Sequence, residues 1–165
     1  MQHKVTISGL ILDPDSNTPI VLLKSEDDGR MMPIWIGMLE AAAIATSLKS
    51  MRFDRPMTHD LFLNFAAMTG VTIVSVEVCD LQENTFYAKI HCASLERMFS
   101  MDARPSDAIA IALRADVPIF IDENVYRKSE KDTEAALAAD NSDEGKKWAE
   151  YLKNLSPDDF GKYKV

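Results

Sequence analysis

Cysteine, histidine, long apolar runs and basic charge are all scarce in this 165-residue chain, and each shortage excludes a chemistry. No apolar stretch approaches the roughly 18 residues that would suggest a membrane-spanning helix, so none is expected. The chain opens Met-Gln-His-Lys and runs directly into an alternating strand pattern, without the long apolar core of a signal peptide; a cytoplasmic location is the expectation. Two cysteines, Cys79 and Cys92, cannot by themselves build a zinc site or a redox centre. The chain also lacks a Gly-rich loop ending in Lys-Ser/Thr, a dinucleotide glycine fingerprint, a paired-histidine zinc helix and a Gly-x-Ser-x-Gly elbow. Against 26 Asp+Glu there are only 18 Lys+Arg, a net charge of −8. Because Lys and Arg contacts to phosphate supply most non-specific affinity for nucleic acid, a broad basic face is excluded, and any polyanion must be gripped locally.

What is present is the composition of an ordinary globule, 47% hydrophobic and 27% charged, which excludes disorder throughout. The length suits one domain with an appendage. Residues 1–126 form the expected domain, with nearly all the β-branched and aromatic side chains, and 127–165 the expected appendage. Acidity belongs to the former, since residues 1–125 hold 17 of the acids but only 10 of the basic side chains. Arg127 to Gly145 reads as a charged linker or marginal helix. Beyond it Trp148, Tyr151, Leu152 and Leu155 fall at helical spacing, and Ser156-Pro157-Asp158-Asp159 reads as a helix cap.

The patterning predicts an α+β fold, mainly antiparallel. Strands at about 3–13, 19–25 and 31–36 form a meander, separated by turn-formers at Asp13 to Asn17 and Asp27 to Gly29. A largely buried helix is expected over 37–49. A second runs from Thr58 as N-cap to Gly70, with Leu61, Phe62, Phe65 and Met68 as its apolar face. Residues 71–81 and 85–93 form a hairpin in which Val74, Val76 and Val78 face Cys92, Ile90 and Ala88, and Glu77 opposes Lys89. That register puts Cys79 opposite Tyr87, five residues and roughly 16 Å from Cys92 at about 3.3 Å per residue, too far for a disulfide. A helix over 105–114 and a short strand over 117–121 complete the domain.

Two helix openings repeat one combination: Arg55-Pro-Met-Thr58-His59-Asp60 and Asp102-Ala-Arg104-Pro-Ser106-Asp107. Each sets an arginine, a proline, a hydroxyl and an acid at the positive end of a helix, where free N–H groups favour anions. Arg55, Thr58, Arg104 and Ser106 are therefore candidate phosphate-binding residues. A plainer reading stands beside it: the hydroxyls cap, the acids complement the helix dipole, and Arg55 and Arg104 pair with Asp54 and Asp102. Glu40, an acid in an otherwise apolar helix, must reach solvent, pair with an arginine or hold an ion, and pairing is the simplest outcome. Asp13-x-Asp15-x-Asn17 has the first ligands of a calcium loop, but Thr18 and Lys24 replace the needed Gly and Glu, so it reads as a turn. Trp35 and Phe53 can stack bases, yet read as core. His3 and His91 sit in strand patterns and read as structural.

The blocks Pro33-Ile-Trp-Ile-Gly37 with Glu40 and Ala43-Ile44, Arg55-Pro-x-Thr-His-Asp-Leu61, Asp80-Leu with Thr85-Phe-Tyr-Ala88, Asp102-Ala-Arg-Pro-Ser-Asp-Ala-Ile-Ala110 and Pro118-Ile-Phe-Ile-Asp-Glu123 resemble the bifunctional nuclease domain family. They cover roughly residues 3–125 in the family's order. The tail from Trp148 to Lys164 resembles the ending of bacterial members. The resemblance implies an α+β domain that self-associates, a dimer being favoured, and acts on DNA and RNA; it brings no agreed catalytic mechanism. Phosphodiester hydrolysis needs an activated water, stabilisation of charge on the phosphoryl oxygens and a proton for the leaving oxygen. Asp102 and Asp107, bracketing Arg104, become candidate ligands for a divalent cation, Mg or Mn, with Asp60 in reserve. His59 and Asp60 become the candidate catalytic pair, since imidazole titrates near neutrality. A non-catalytic oligomer that binds a nucleotide or other anion is the alternative.

Overall fold

Alternating apolar residues before a turn-forming Asp-Pro are what a half-buried strand requires, and the chain begins with one. In a computed structural model, which describes residues 1–14 and 16–130, β1 (Gln2–Leu12), β2 (Pro19–Ser25) and β3 (Met31–Trp35) form the expected meander. Then come α1 (Met38–Leu48), α2 (Thr58–Met68), the hairpin β4 (Thr72–Gln82) and β5 (Thr85–Ala93), β6 (Met98–Ala103), α3 (Pro105–Ala115) and β7 (Ile119–Asp122). The result is a seven-stranded sheet ordered β3-β2-β1-β7-β4-β5-β6, antiparallel except where β7 runs parallel to β4. The fold is α+β. Residues 123–130 are helical. The expected tail helix lies outside the described residues, and no described helix is long and apolar enough to cross a membrane.

The hairpin keeps its expected register through Val76↔Ile90, Glu77↔Lys89 and Val78↔Ala88, but a bulge breaks it at each end. Cys92 therefore faces Ile73 rather than Val74, and Tyr87 faces Asp80 rather than Cys79. Each bulge inserts one unpaired residue, which lets Ile73 and Leu81 turn into the core while Val74 stays exposed. Glu83 and Asn84 both take positive φ at the tip, as a two-residue turn of this hand demands. The Glu77 carboxylate bonds His91 Nε2 at 3.0 Å instead of Lys89, because the two share a face next to the pair. Strand β6 was not expected from the sequence. Its alternation, with Phe99, Met101 and Ala103 partly buried and the residues between them exposed, is the signal that the short segment carries.

Helix α3 is buried from Pro105 through Ala112 apart from Asp107, and lies between α1, α2 and the sheet. Its Ala-rich surface is what lets neighbours approach closely. Ile44 of α1, Ile109 of α3 and Ile121 of β7 are wholly enclosed, each contributing about 1.5–3 kcal/mol from burial. Two expectations fail here. Helix α1 buries only Ala41 and Ile44, leaving Met38 and Leu39 exposed. Helix α2 is apolar on two sides, and the side turned inward is Phe62, Leu63 and Ala66. Leu61, Phe65 and Met68 face outward in a row with Met57.

The chain ends of the described domain are fastened by one polar cluster. Arg30 donates to both carboxylate oxygens of Glu123, at 3.2 and 2.7 Å, and to Asp28 at 2.7 Å, while its guanidinium lies 4.1 Å from the Tyr126 ring centre. Buried His3 adds a 2.6 Å contact to Glu123 and meets the same tyrosine edge-on. Asp27 Oδ2 lies 3.4 Å from His3 Nδ1 without hydrogen-bond alignment, so that attraction is coulombic only.

Candidate active site

Each of the three helices places an acid in its first turn: Glu40 in α1, Asp60 in α2 and Asp107 in α3. Carboxylates there complement the free N–H groups of the helix start. The fold draws two of these turns and the start of the third into a chain of contacts. His59 Nε2 lies 3.0 Å from Asp107 Oδ1, Arg104 Nε donates to Asp107 Oδ2 at 2.8 Å, and Arg104 Nη1 donates to Glu40 Oε1 at 2.8 Å. The candidates His59, Arg104 and Asp107 are thus brought together. Glu40 completes the chain, paired to Arg104 as the simplest reading had it; Arg104 pairs with neither Asp102 nor any other strand acid.

Partial burial pushes the Asp107 carboxyl up, but the hydrogen bonds from Arg104 and His59 outweigh it and hold it below the usual carboxylate range. Asp107 is therefore ionised at neutral pH, and an ionised carboxylate only accepts. Its Oδ1 must accept from His59 Nε2–H, which leaves Nδ1 as the basic nitrogen. The His59 side chain is 15% exposed and that of Arg104 65%, so an anchored imidazole stands beside a guanidinium open to solvent.

Gly37 makes room for this arrangement. Its φ of −74° suits any residue, but a Cβ there would collide with the Glu40 carboxylate, which folds back over the start of α1. No sequence rule singled out Gly37, although a glycine three residues before a lone acid was visible.

The other candidates are placed differently. Asp60 has both oxygens occupied: Oδ2 accepts from Met57 N at 2.9 Å and Oδ1 from Arg114 Nε at 2.9 Å. Met57 rather than Thr58 consequently stands at the cap position, because Asp60 reaching back performs the capping. Arg114, which sequence reasoning passed over, also donates to the carbonyls of Ala43 and Ala110 and so ties α1, α2 and α3 together. Thr58 and Arg55 are exposed on the approach to α2, and Arg55 forms no ion pair with any described residue. Ser106 is buried behind Pro105. Asp102 stands exposed on β6 opposite Lys89 rather than beside Asp107 in a loop. Among the described residues no three His, Cys, Asp or Glu side chains gather into a metal cage.

Beside the site, Trp35 and Phe53 prove to be half exposed, not core; the Trp35 indole donates to Asp13 at 3.1 Å. An aromatic at the end of an edge strand or in a loop has too few neighbours to be enclosed.

A family model described as the Bifunctional nuclease domain matches residues 21–134. An uncharacterised protein of Mycobacterium tuberculosis is 40% identical over 163 residues, covering 95% of this chain and 97% of that protein. Bifunctional nuclease 1 of Oryza sativa subsp. japonica is 26% identical over 109 residues, 64% of this chain and 33% of its own length. Bifunctional nuclease 2 of Arabidopsis thaliana is 25% identical over 107 residues, 62% and 32% respectively. This chain therefore aligns with about a third of each plant protein.

Proposed function

Since this chain belongs to the bifunctional nuclease domain family, we propose that it hydrolyses phosphodiester bonds in DNA, RNA or both, at the chain of contacts that runs from Glu40 through Arg104 and Asp107 to His59. The observation that carries the proposal is the pairing of an oriented imidazole with an outward guanidinium on converging helix starts. Arg104 receives the phosphate through N–H groups not engaged by Glu40 and Asp107, and counters charge growing on the phosphoryl oxygens. His59 Nδ1 takes a proton from the attacking water as its oxygen bonds to phosphorus. The bond to the leaving oxygen breaks, and that oxygen is protonated from solvent. Asp107 holds the imidazole in the required tautomer. Arg55 and Thr58 meet flanking phosphate from the α2 approach, and Asp60 positions α2.

A divalent cation, Mg or Mn, belongs to this reading as one that enters with the phosphate, keeping most of its waters. None of the steps above depends on it. We place the activity in the cytoplasm. Self-association, a dimer being favoured, is supported by the outward row of Met57, Leu61, Phe65 and Met68, an apolar stripe that a second copy would cover. Phe65→Asp should then reduce the mass seen by light scattering to that of one chain.

Cleavage of labelled DNA and RNA by wild type, His59→Gln, Arg104→Ala and Asp107→Asn, each checked for folding, tests the proposal. A loss on the order of 100-fold in each variant is expected. Equal activity in all four preparations would mark a contaminant and remove the assignment. The charge balance favours a second reading, a domain that binds a nucleotide or other anion without turnover, because two acids already attend Arg104. Saturable binding with no product at any metal concentration would establish it.

A further inference from the structure

The loop between α1 and α2 is an exception in an acidic chain. Residues 49–57 carry Lys49, Arg52 and Arg55 against the single acid Asp54. Arg52 and Arg55 are exposed and form no ion pair with a described residue, whereas Arg30, Arg104 and Arg114 are all engaged by carboxylates. The start of the loop is held in place by Ser50 N donating to Ser47 O and Met51 N donating to Thr46 O, both at 2.9 Å, with Ser50 at a φ of 53°.

Next to this loop lies a shallow cleft of about 220 Å³. Its lining includes Phe53, 46% exposed, Arg52, Ser47, Ser50, Asp60 and Arg114 of α3. Asp60 pairs with Arg114 at 2.9 Å, which leaves Arg52 as the lining's cation without an ion pair among the described residues. The volume is below the roughly 300–1,000 Å³ of a typical small-molecule site. It suits one ring system rather than a whole nucleotide. Asp60 is the chain neighbour of His59, and Arg114 lies two turns along α3 from Asp107, about 10 Å at 1.5 Å per residue. The cleft is therefore at the distance of a neighbouring nucleotide, not of the reacting phosphate.

We propose that this cleft receives an unpaired base flanking the scissile phosphate, stacked on Phe53, with the adjoining phosphate met by Arg52. This rests on nucleic acid being the substrate. It goes further by specifying an unpaired strand, since a base inside a duplex has both faces covered by its neighbours and none left to stack on Phe53. Stacking is tolerant of base identity. Stacking on Phe53 makes no demand on the sugar, so poly-dT and poly-U should both bind.

The test is fluorescence anisotropy of the full-length protein with labelled ten-nucleotide poly-dT and poly-U and with a hairpin duplex, in chelator and low salt so that binding is read without turnover. Wild type should bind both single strands and prefer them to the duplex. Phe53→Ala should weaken single-strand binding about 5- to 100-fold, the range of one stacked base, while Phe53→Tyr retains it. Arg52→Ala should weaken it and flatten its salt dependence. Thermal melts certify folding, which the exposure of Phe53 makes an easy condition. Unchanged single-strand affinity in both Phe53→Ala and Arg52→Ala, a preference for duplex, or no binding by wild type would each overturn the subsite. The nuclease assignment is judged separately, by the dependence of cleavage on His59, Arg104 and Asp107; it survives if those variants lose activity while Phe53 and Arg52 prove silent.

Discussion

Two clusters in this molecule are assembled from the same parts, an arginine, two acids and a histidine, and put them to opposite uses. Around Arg30 the parts face inward: Glu123 is held by both oxygens, His3 is buried and the guanidinium is stacked on Tyr126. Around Arg104 they face outward. Asp107 and Glu40 are gripped through one oxygen each, and the guanidinium is more than half exposed. Every charge of the first cluster is spent on joining the chain's beginning, the turn after β2 and the residues after β7. The second retains Arg104 donors that no group among the described residues uses. Residue type therefore does not separate a fastener from a site; direction, denticity and an aromatic lid do.

Exchanging the damage between the clusters tests that distinction most sharply. His59→Gln should reduce cleavage by about 100-fold or more while the unfolding midpoint stays in place. Arg30→Ala should do the reverse, lowering stability by about 1–3 kcal/mol in denaturant titration through loss of the stack and the carboxylate pair, with cleavage per folded molecule retained. If Arg30→Ala abolished activity at full stability, the distinction would fall. A smaller effect is expected from Gly37→Ala. The added methyl displaces the flexible end of Glu40 rather than backbone, so the protein should fold and lose activity about tenfold or less, read as kcat/KM.

Acidity should distinguish the clusters more gently. The backbone N–H of Arg30, then Ser25 and the Arg30 guanidinium, hold the Asp28 carboxyl at about 2, below its unfolded value. A folded pKa depressed in this way contributes stability above the unfolded pKa and loses it as pH falls through the folded one. The acid limb of a stability profile should therefore decline between about pH 4 and pH 2, and Asp28→Asn should make it shallower without abolishing it, because Asp80, Glu123 and Asp107 are depressed as well. The least effect belongs to Tyr126→Phe. The Tyr126 hydroxyl is buried with no hydrogen-bond partner among the described residues, and burial pushes its pKa up to about 12. Removing it keeps the ring under Arg30, so stability should change by less than about 1 kcal/mol in calorimetry, in either direction.

Much of this was legible in the order of residues. Period-two and period-3.6 patterns located the meander, α1, α2 and α3, the hairpin and β7, though not the helical turns over 123–130, because burial on one face is what those patterns encode. Strand β6 escaped because six residues alternating Met, Phe, Ser, Met, Asp and Ala carry little contrast. The exposed row on α2 escaped for the opposite reason: a helix apolar on two sides does not say which side faces in. Within the candidate site, Arg104 was recognisable from helix-start chemistry and His59 and Asp107 became candidates through the family resemblance, but their meeting was not legible, since residues 59 and 107 are joined only by the packing of α2 on α3. Asp60 illustrates the limit. Its sequence context equals that of Asp107, and only Arg114, supplied from the far end of another helix, commits it to holding the helices together.

The place of β7 has a consequence for how the protein is made. This four-residue strand is the last among the described residues and sits in the middle of the sheet, where it alone of the described strands bridges the β1–β3 half and the β4–β6 half. A ribosome therefore releases two incomplete ladders whose facing edges, on β1 and β4, stay unpaired until Ile119–Asp122 has cleared the exit tunnel. During that interval each edge is free to pair with another nascent chain. A message cut before this point would leave both edges open to such pairing.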